Sequence, residues 1–413
     1  MTISGPISGL VSTQQLILAN NGVVNPTPIT TNGSFAFSAT VGYGTDYAVT
    51  VGTQPTGETC RITGGSGTNV TANVNSVVVS CRLALAYVSN AADGTISEYT
   101  IGLDGSLTSI GTIATGGTSP NIVTVDPTGR FAYVTNFGSN TVGQYAIGAT
   151  GVLTANAVSA TVATGASPYS IAVDPLGRYA FVTNQADNTV SQFTIGANGA
   201  LTANGTASLP AGSNPYTIAV DSTGSHAYVA NRGTGKVSQF NIDGTGALVA
   251  MTVPDVAAGG NSLFITINPA GTYAYVTNFD PAKTVSQFSI NATTGELTAV
   301  ASVATGNGPY PVVISPNGQY AYWSNKFDNQ VAQCVFVAAG ALDCSAGVVG
   351  AGTQPQYIAI DPFGKHLFVA NYSVGGLGSI SQYDIAPADG TLTVNAVPTA
   401  TTGSGPFSIT TAR

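Results

Sequence analysis

The chain has 413 residues, of which 10 are Lys or Arg and 18 are Asp or Glu, so 7% of its side chains are charged and the net charge is −8. Ordinary soluble domains carry roughly 25% charged residues, and ten cations in an acidic chain cannot form the basic footprint that nucleic-acid binding requires. The 43% hydrophobic content, with 33 Phe plus Tyr, excludes a charged disordered chain, and Gly, Ser, Thr or Asn interrupts every apolar run well short of the about 20 residues of a membrane-spanning helix.

The chain opens MTISGPISGL, with neither a basic start nor a long apolar stretch, so no signal peptide is expected within it. Residues 1–82 hold alternating runs (QQLILAN, SFAFSATV, YAVTVGT, SVVVSC) separated by Gly, Pro and Asn. They read as a small β-sandwich of immunoglobulin-like type. Such a unit has little core, and a Cys60–Cys81 disulfide closing its loop would contribute on the order of 3 kcal/mol.

Residues 83–413 repeat. A tetrapeptide of aromatic, Val or Trp, small residue and Asn starts at Tyr87, Tyr133, Phe181, Tyr228, Tyr275, Tyr322 and Phe368, with spacings of 46, 48, 47, 47, 47 and 46. Each period reads as four strands. In residues 120–163 these are PNIVTV, then RFAYVTN after the turn DPTG, then TVGQYAI and VLTANAVSATVA. The turn has Asp first, Pro second and Gly fourth, as type I prefers. Period-two alternation without any 3.6 period, repeated seven times, predicts a seven-bladed β-propeller. The first repeat lacks its first strand, and the final GPFSITTAR has the first-strand pattern, so the C-terminal strand should complete that blade and cover two open edges.

Hairpin register places Cys334 opposite Cys344, within reach of a cross-strand disulfide. An even count of pairable cysteines, few Lys and Glu, and abundant Thr, Ser, Asn and Gly suit an extracellular or cell-surface protein. His226 and His366 fall where Phe131, Tyr179, Tyr273 and Tyr320 stand in other repeats, which makes them packing substitutes. The aspartates at 126, 174, 221 and 361 are turn residues. No Ser-His-Asp arrangement, metal cluster or phosphate-cradling loop is found, and no cofactor is implied. One constellation remains. Asn121, Tyr169, Tyr216, Leu263, Tyr310, Gln356 and Phe407, with Tyr357 adjacent, follow the start of successive first strands and should ring one mouth of the channel. An uncharged ring of aromatics and amides can stack on a neutral glycan, or it can simply pack between blades.

With its seven YVTN-type tetrapeptides and D-P-x-G turns, the repeat region resembles the YVTN-repeat, lactonase-like seven-bladed propeller family over about 330 residues. The N-terminal segment, with QPTGETC and VVVSC, is similar to a small domain of bacterial secreted and surface proteins. Enzymatic members of the propeller family imply a channel-mouth site of His, Glu and Arg. No such cluster can be assigned here, so no catalytic residue is carried over. The charge-poor exterior then favours a non-enzymatic scaffold for adhesion or for a surface layer, filament or matrix, self-assembling through the N-terminal domain. A lactonase-type hydrolase or isomerase and a neutral-glycan lectin are the alternative expectations.

Overall fold

A computed structural model describes residues 1–10, 15–55, 58–208, 213–337, 340–373 and 375–413. The N-terminal part forms two four-stranded sheets, in the spatial orders Gly33–Ala36, Ser4–Ser8, Val78–Leu83, Glu58–Thr63 and Val23–Val24, Ile17–Asn20, Thr45–Thr53, Ser66–Val70. Alternate residues of these strands, among them Leu18, Phe35, Tyr47 and Val79, meet in one core. The pair Ser4–Ser8 with Val78–Leu83 runs parallel, a departure from the two antiparallel sheets of the immunoglobulin type. Cys60 and Cys81 face each other across the ladder and are bonded.

The remaining chain makes seven sheets of four or five antiparallel strands, numbered here as blades 1–7 in order of the tetrapeptides. Blade 2 is representative, with Pro120–Val125 innermost, then Phe131–Asn136 and Thr141–Ile147, and an outer edge split into Leu153–Ala155 and Thr161–Ala163. In blade 1 the innermost strand is Pro406–Ala412, paired antiparallel with Leu85–Asn90. In blade 6, Cys334 and Cys344 form the second disulfide.

The repeated tetrapeptide is what joins one blade to the next. Its tyrosine is buried, and its hydroxyl donates to a glycine carbonyl in the outer hairpin of the following blade: Tyr87 to Gly151 at 2.7 Å, Tyr133 to Gly199 at 2.8 Å and Tyr322 to Gly390 at 2.6 Å. Where its third residue is Ser89, Thr135, Thr183 or Ser324, that hydroxyl donates to the next blade's innermost strand, as Thr135 does to the Tyr169 carbonyl at 2.9 Å and Thr183 to that of Tyr216 at 2.7 Å. Ala230 and Ala370 have no hydroxyl to offer, and Thr277 Oγ1 has no partner among the described residues. Its asparagine stays within the blade, as when Asn184 Nδ2 reaches Ser191 Oγ at 2.8 Å. Blades 3 and 7 have Phe181 and Phe368 in the tyrosine's place, and there the neighbouring strand residue takes over. Tyr179 donates to the Gly244 carbonyl at 3.0 Å, and His366 Nε2 lies 3.2 Å from the Leu103 carbonyl.

A second latch uses the third strand. Gln144, Gln192, Gln239, Gln287, Gln333 and Gln382 each accept the backbone N–H of a leucine that begins or adjoins the outer strand of the next blade, at 2.5–3.2 Å. Blade 1 has Glu98 instead, which accepts from Leu153 N–H at 3.2 Å. It lacks the amide donor that Gln144, Gln239 and Gln382 offer to carbonyls of their own blades.

Burial raises the Glu98 carboxyl above its ordinary value of 4.5. The folded state therefore holds that proton more tightly than the unfolded chain, and the penalty, absent well below pH 4.5, grows as pH rises through the folded value. Glu98→Gln is expected to raise Tm by about 1–4 °C at pH 7, with a smaller gain at pH 4. Thermal unfolding at both pH values checks this, and an equal gain at both would show that charge burial is not the cause.

Candidate functional site

The innermost strands run from one mouth of the channel to the other, and their two ends differ. At the starting end, where Pro120 pairs with Asn136, aromatic rings fill the channel. Tyr169 and Tyr216 lie 4.0 Å apart between centroids. Phe264 stands edge-on to Tyr357 at 5.3 Å and tilted against Tyr310 at 5.0 Å, and Phe407 closes the circle against Tyr357 at 5.7 Å and Tyr169 at 5.9 Å. Edge and offset contacts of this kind are how aromatic quadrupoles attract. Burial pushes the Tyr169, Tyr310 and Tyr357 hydroxyls well up from their ordinary range.

The ring expected from the sequence is thus located and largely buried. Asn121, Tyr169, Tyr310, Gln356 and Tyr357 are buried, while Tyr216 and Phe407 are partly so. The rings pack against one another across the channel, edge-on or tilted. Leu263 is also buried in this cluster, and its neighbour Phe264 supplies the ring of blade 5 from the strand position that Tyr357 holds in blade 7.

Beyond this plug, towards the other mouth, lies a cavity of about 630 Å³. Phe264 and Tyr357 lie at one end of it, Ile122 and Ile409 are among its walls, and Asp126, Asp361 and Arg413 line its far end. The aspartates serve their turns. Asp126 Oδ1 accepts from the N–H of Arg130 and Phe131 at 2.8 and 2.7 Å, and Asp361 Oδ1 from Lys365 and His366 at 2.7 and 3.2 Å.

The residue directly after each tetrapeptide asparagine sits over the plug's outer face, and sequence reasoning missed this position. Backbone bonds fix it: Arg232 N–H donates to the Asn214 carbonyl at 3.1 Å and Lys326 N–H to that of Gly308 at 2.9 Å. The Arg232 guanidinium lies 5.8 Å from the Tyr216 ring centre. Lys326 Nζ lies 5.4, 5.9 and 5.8 Å from the rings of Tyr310, Phe327 and Tyr372. Burial pushes the Lys326 ammonium down from its ordinary value, and no carboxylate pairs with it among the described residues. The expectation of an inner rim without ionisable groups is therefore corrected. The signal was present in sequence, as the series Ala91, Phe137, Gln185, Arg232, Phe279, Lys326 and Tyr372, but a position that varies in type shows no period.

The histidines lie away from this mouth. His226 Nδ1 pairs with Asp221 at 2.9 Å and His366 Nδ1 with Asp384 at 2.9 Å, and each imidazole packs under the hairpin glycine of the next blade, Gly295 or Gly105.

The family model for the seven-bladed β-propeller lactonases matches residues 47–278 and 269–410. The chain belongs to that lactonase family. Solved structures similar to this lactonase-family chain include a putative 6-phosphogluconolactonase of Bacteroides fragilis, 21% identical with a TM-score of 0.68 over 80% of this chain and 98% of that one. A Lactobacillus plantarum protein is 20% identical with a TM-score of 0.69 (80% and 99% covered), and the periplasmic gluconolactonase of Pseudomonas aeruginosa is 18% identical with 0.68 (80% and 99%). No curated protein sequence matches the chain.

Family membership overturns the expected non-enzymatic scaffold for assembly or adhesion. Sparse charge reports on solubility and association, whereas hydrolysis needs only one or two ionisable groups in the right place.

The plug makes a prediction about stability. Tyr357 buries a hydroxyl with no hydrogen-bond partner among the described residues, so Tyr357→Phe should leave stability unchanged or raise it. Phe264→Ala, which empties the centre of the plug, should cost about 3–5 kcal/mol. Denaturant unfolding of the two variants checks both outcomes.

Proposed function

We propose that the protein hydrolyses lactones at the mouth formed by Tyr216, Arg232, Tyr310 and Lys326. The observation that carries this reading is the Lys326 ammonium, desolvated over aromatic faces without a carboxylate partner among the described residues, at a channel mouth of a lactonase-family propeller. A lysine whose ordinary value of 10.5 is lowered holds more of the neutral amine near neutral pH, and so can serve as a general base. A sugar-like lactone ring would stack on the partly buried Tyr216 ring. The Lys326 amine takes a proton from water as the hydroxide oxygen bonds to the ring carbonyl carbon, and the resulting oxyanion faces the Arg232 guanidinium. The carbon to ring-oxygen bond then breaks, the leaving oxygen recovers the proton from Lys326, and a hydroxy acid departs.

The names of the similar structures suggest glucono-1,5-lactone and 6-phosphogluconolactone as first substrates. Two disulfides favour export to an oxidising compartment as part of this reading.

In a pH-stat assay corrected for spontaneous hydrolysis, turnover should rise with pH and reach half-maximum below the 10.5 of free lysine. Lys326→Met should lower kcat by about 100-fold or more, while His226→Ala should retain it. Wild-type rates equal to buffer for every lactone tried, or full activity in Lys326→Met, would remove the reading.

A further inference from the structure

The N-terminal unit meets the propeller at the other end of the channel, and there the scarce cations of the chain gather. In the ladder of Glu58–Thr63 with Val78–Leu83, Cys60 pairs with Cys81 and Arg61 with Ser80. The disulfide faces the core of the unit, so alternation turns Arg61, Ser80 and Arg82 to the opposite face. That face abuts the propeller: Arg82 Nη1 donates to the Thr128 carbonyl at 3.0 Å and to the main-chain oxygen of Arg413, the last residue, at 3.3 Å. Arg413 follows the strand that closes blade 1, between the turns of blades 2 and 7.

A crevice of about 290 Å³ lies between Arg61, Ser80, Arg82, Pro127 and Arg413. It shares Pro127 and Arg413 with the channel cavity of about 630 Å³. Three of the ten Lys and Arg residues of the chain thus line one hollow. No carboxylate side chain lies within ion-pair distance of any of them among the described residues. Like charges brought together cost free energy; the Thr128 and Arg413 main-chain oxygens that Arg82 engages offset part of it, and an anion in the space between the three guanidinium groups would offset more. Consistent with this, burial and the repulsion of Arg61 and Arg82 hold the Arg413 guanidinium below its ordinary value.

We infer that this crevice is an oxyanion site, built jointly by the N-terminal unit and the propeller, for a small acid. Its phosphate or carboxylate head would lie among the three guanidinium groups, with its neutral body extending into the channel cavity. Guanidinium groups suit both heads because they offer paired, planar donors. The crevice is at the mouth opposite Lys326 and Arg232, so the inference stands apart from the lactonase reading and does not share its test.

Calorimetric titration of the full chain at low ionic strength with inorganic phosphate, glucose 6-phosphate and gluconate provides the test. At least one should bind saturably, weakening with added salt and by about tenfold or more in Arg61→Gln, an exposed strand position whose loss should leave Tm intact. Tighter glucose 6-phosphate than gluconate assigns a phosphate head, and the reverse assigns a carboxylate; either supports the site. Lys326→Met should bind as the wild type does. Absence of binding by all three, unchanged affinity in Arg61→Gln, or loss of binding in Lys326→Met would overturn the inference.

Discussion

Every blade of this propeller is fastened by groups that belong to its predecessor. Among the described residues, a tetrapeptide tyrosine holds the hairpin of the next blade in five blades, a Ser or Thr hydroxyl holds its inner strand in four, and a glutamine holds the start of its outer strand in six, with Glu98 in the seventh. Each bond contributes only about 0.5–1.5 kcal/mol net, but a buried donor or acceptor left alone costs about 1–3 kcal/mol. The repeated asymmetry matters more than the sum, because a blade that loses its neighbour strands several buried polar groups at once. The ring is therefore cooperative, and its geometry at the channel is set by neighbours rather than by any one sheet.

That constraint frees the positions that face the channel mouth. The residue after each asparagine has its backbone held by the preceding loop, so its side chain can change without disturbing the blade. Phe137 and Phe279 use the freedom for packing, Tyr372 offers its ring to the Lys326 ammonium, and Arg232 and Lys326 use it for charge. The aromatic plug beneath supplies a desolvating floor. A chain with 7% charged residues can therefore carry chemistry, provided that the few ionisable groups stand where water is scarce.

Much of the fold was legible because repetition averages out local ambiguity. Seven tetrapeptides at one spacing, the D-P-x-G turns and the unpaired first-strand pattern at residues 405–413 led directly to the blades and to their closing strand. The Cys334–Cys344 bond followed from hairpin register. The site was less legible. The residue after the start of each inner strand could be listed, but in blade 5 the ring comes from the residue beyond it, Phe264, beside Leu263 in the same cluster. Contacts between blades, such as Glu98 in place of a latch glutamine, join residues about 55 apart and have no local signature. The gathering of Arg61, Arg82 and Arg413 depends on the docking of two units, which no periodicity records.

The closing strand has one more consequence. Ser89 and Ser408 share a hydrogen bond across 319 residues of sequence, and Pro406–Ala412 supplies the inner edge of the first blade. A nascent chain not yet extended past this strand leaves the backbone of Leu85–Asn90 bare on one flank, open to another polypeptide. Biogenesis is thus the vulnerable stage, when blades already in place wait for the strand that seals them.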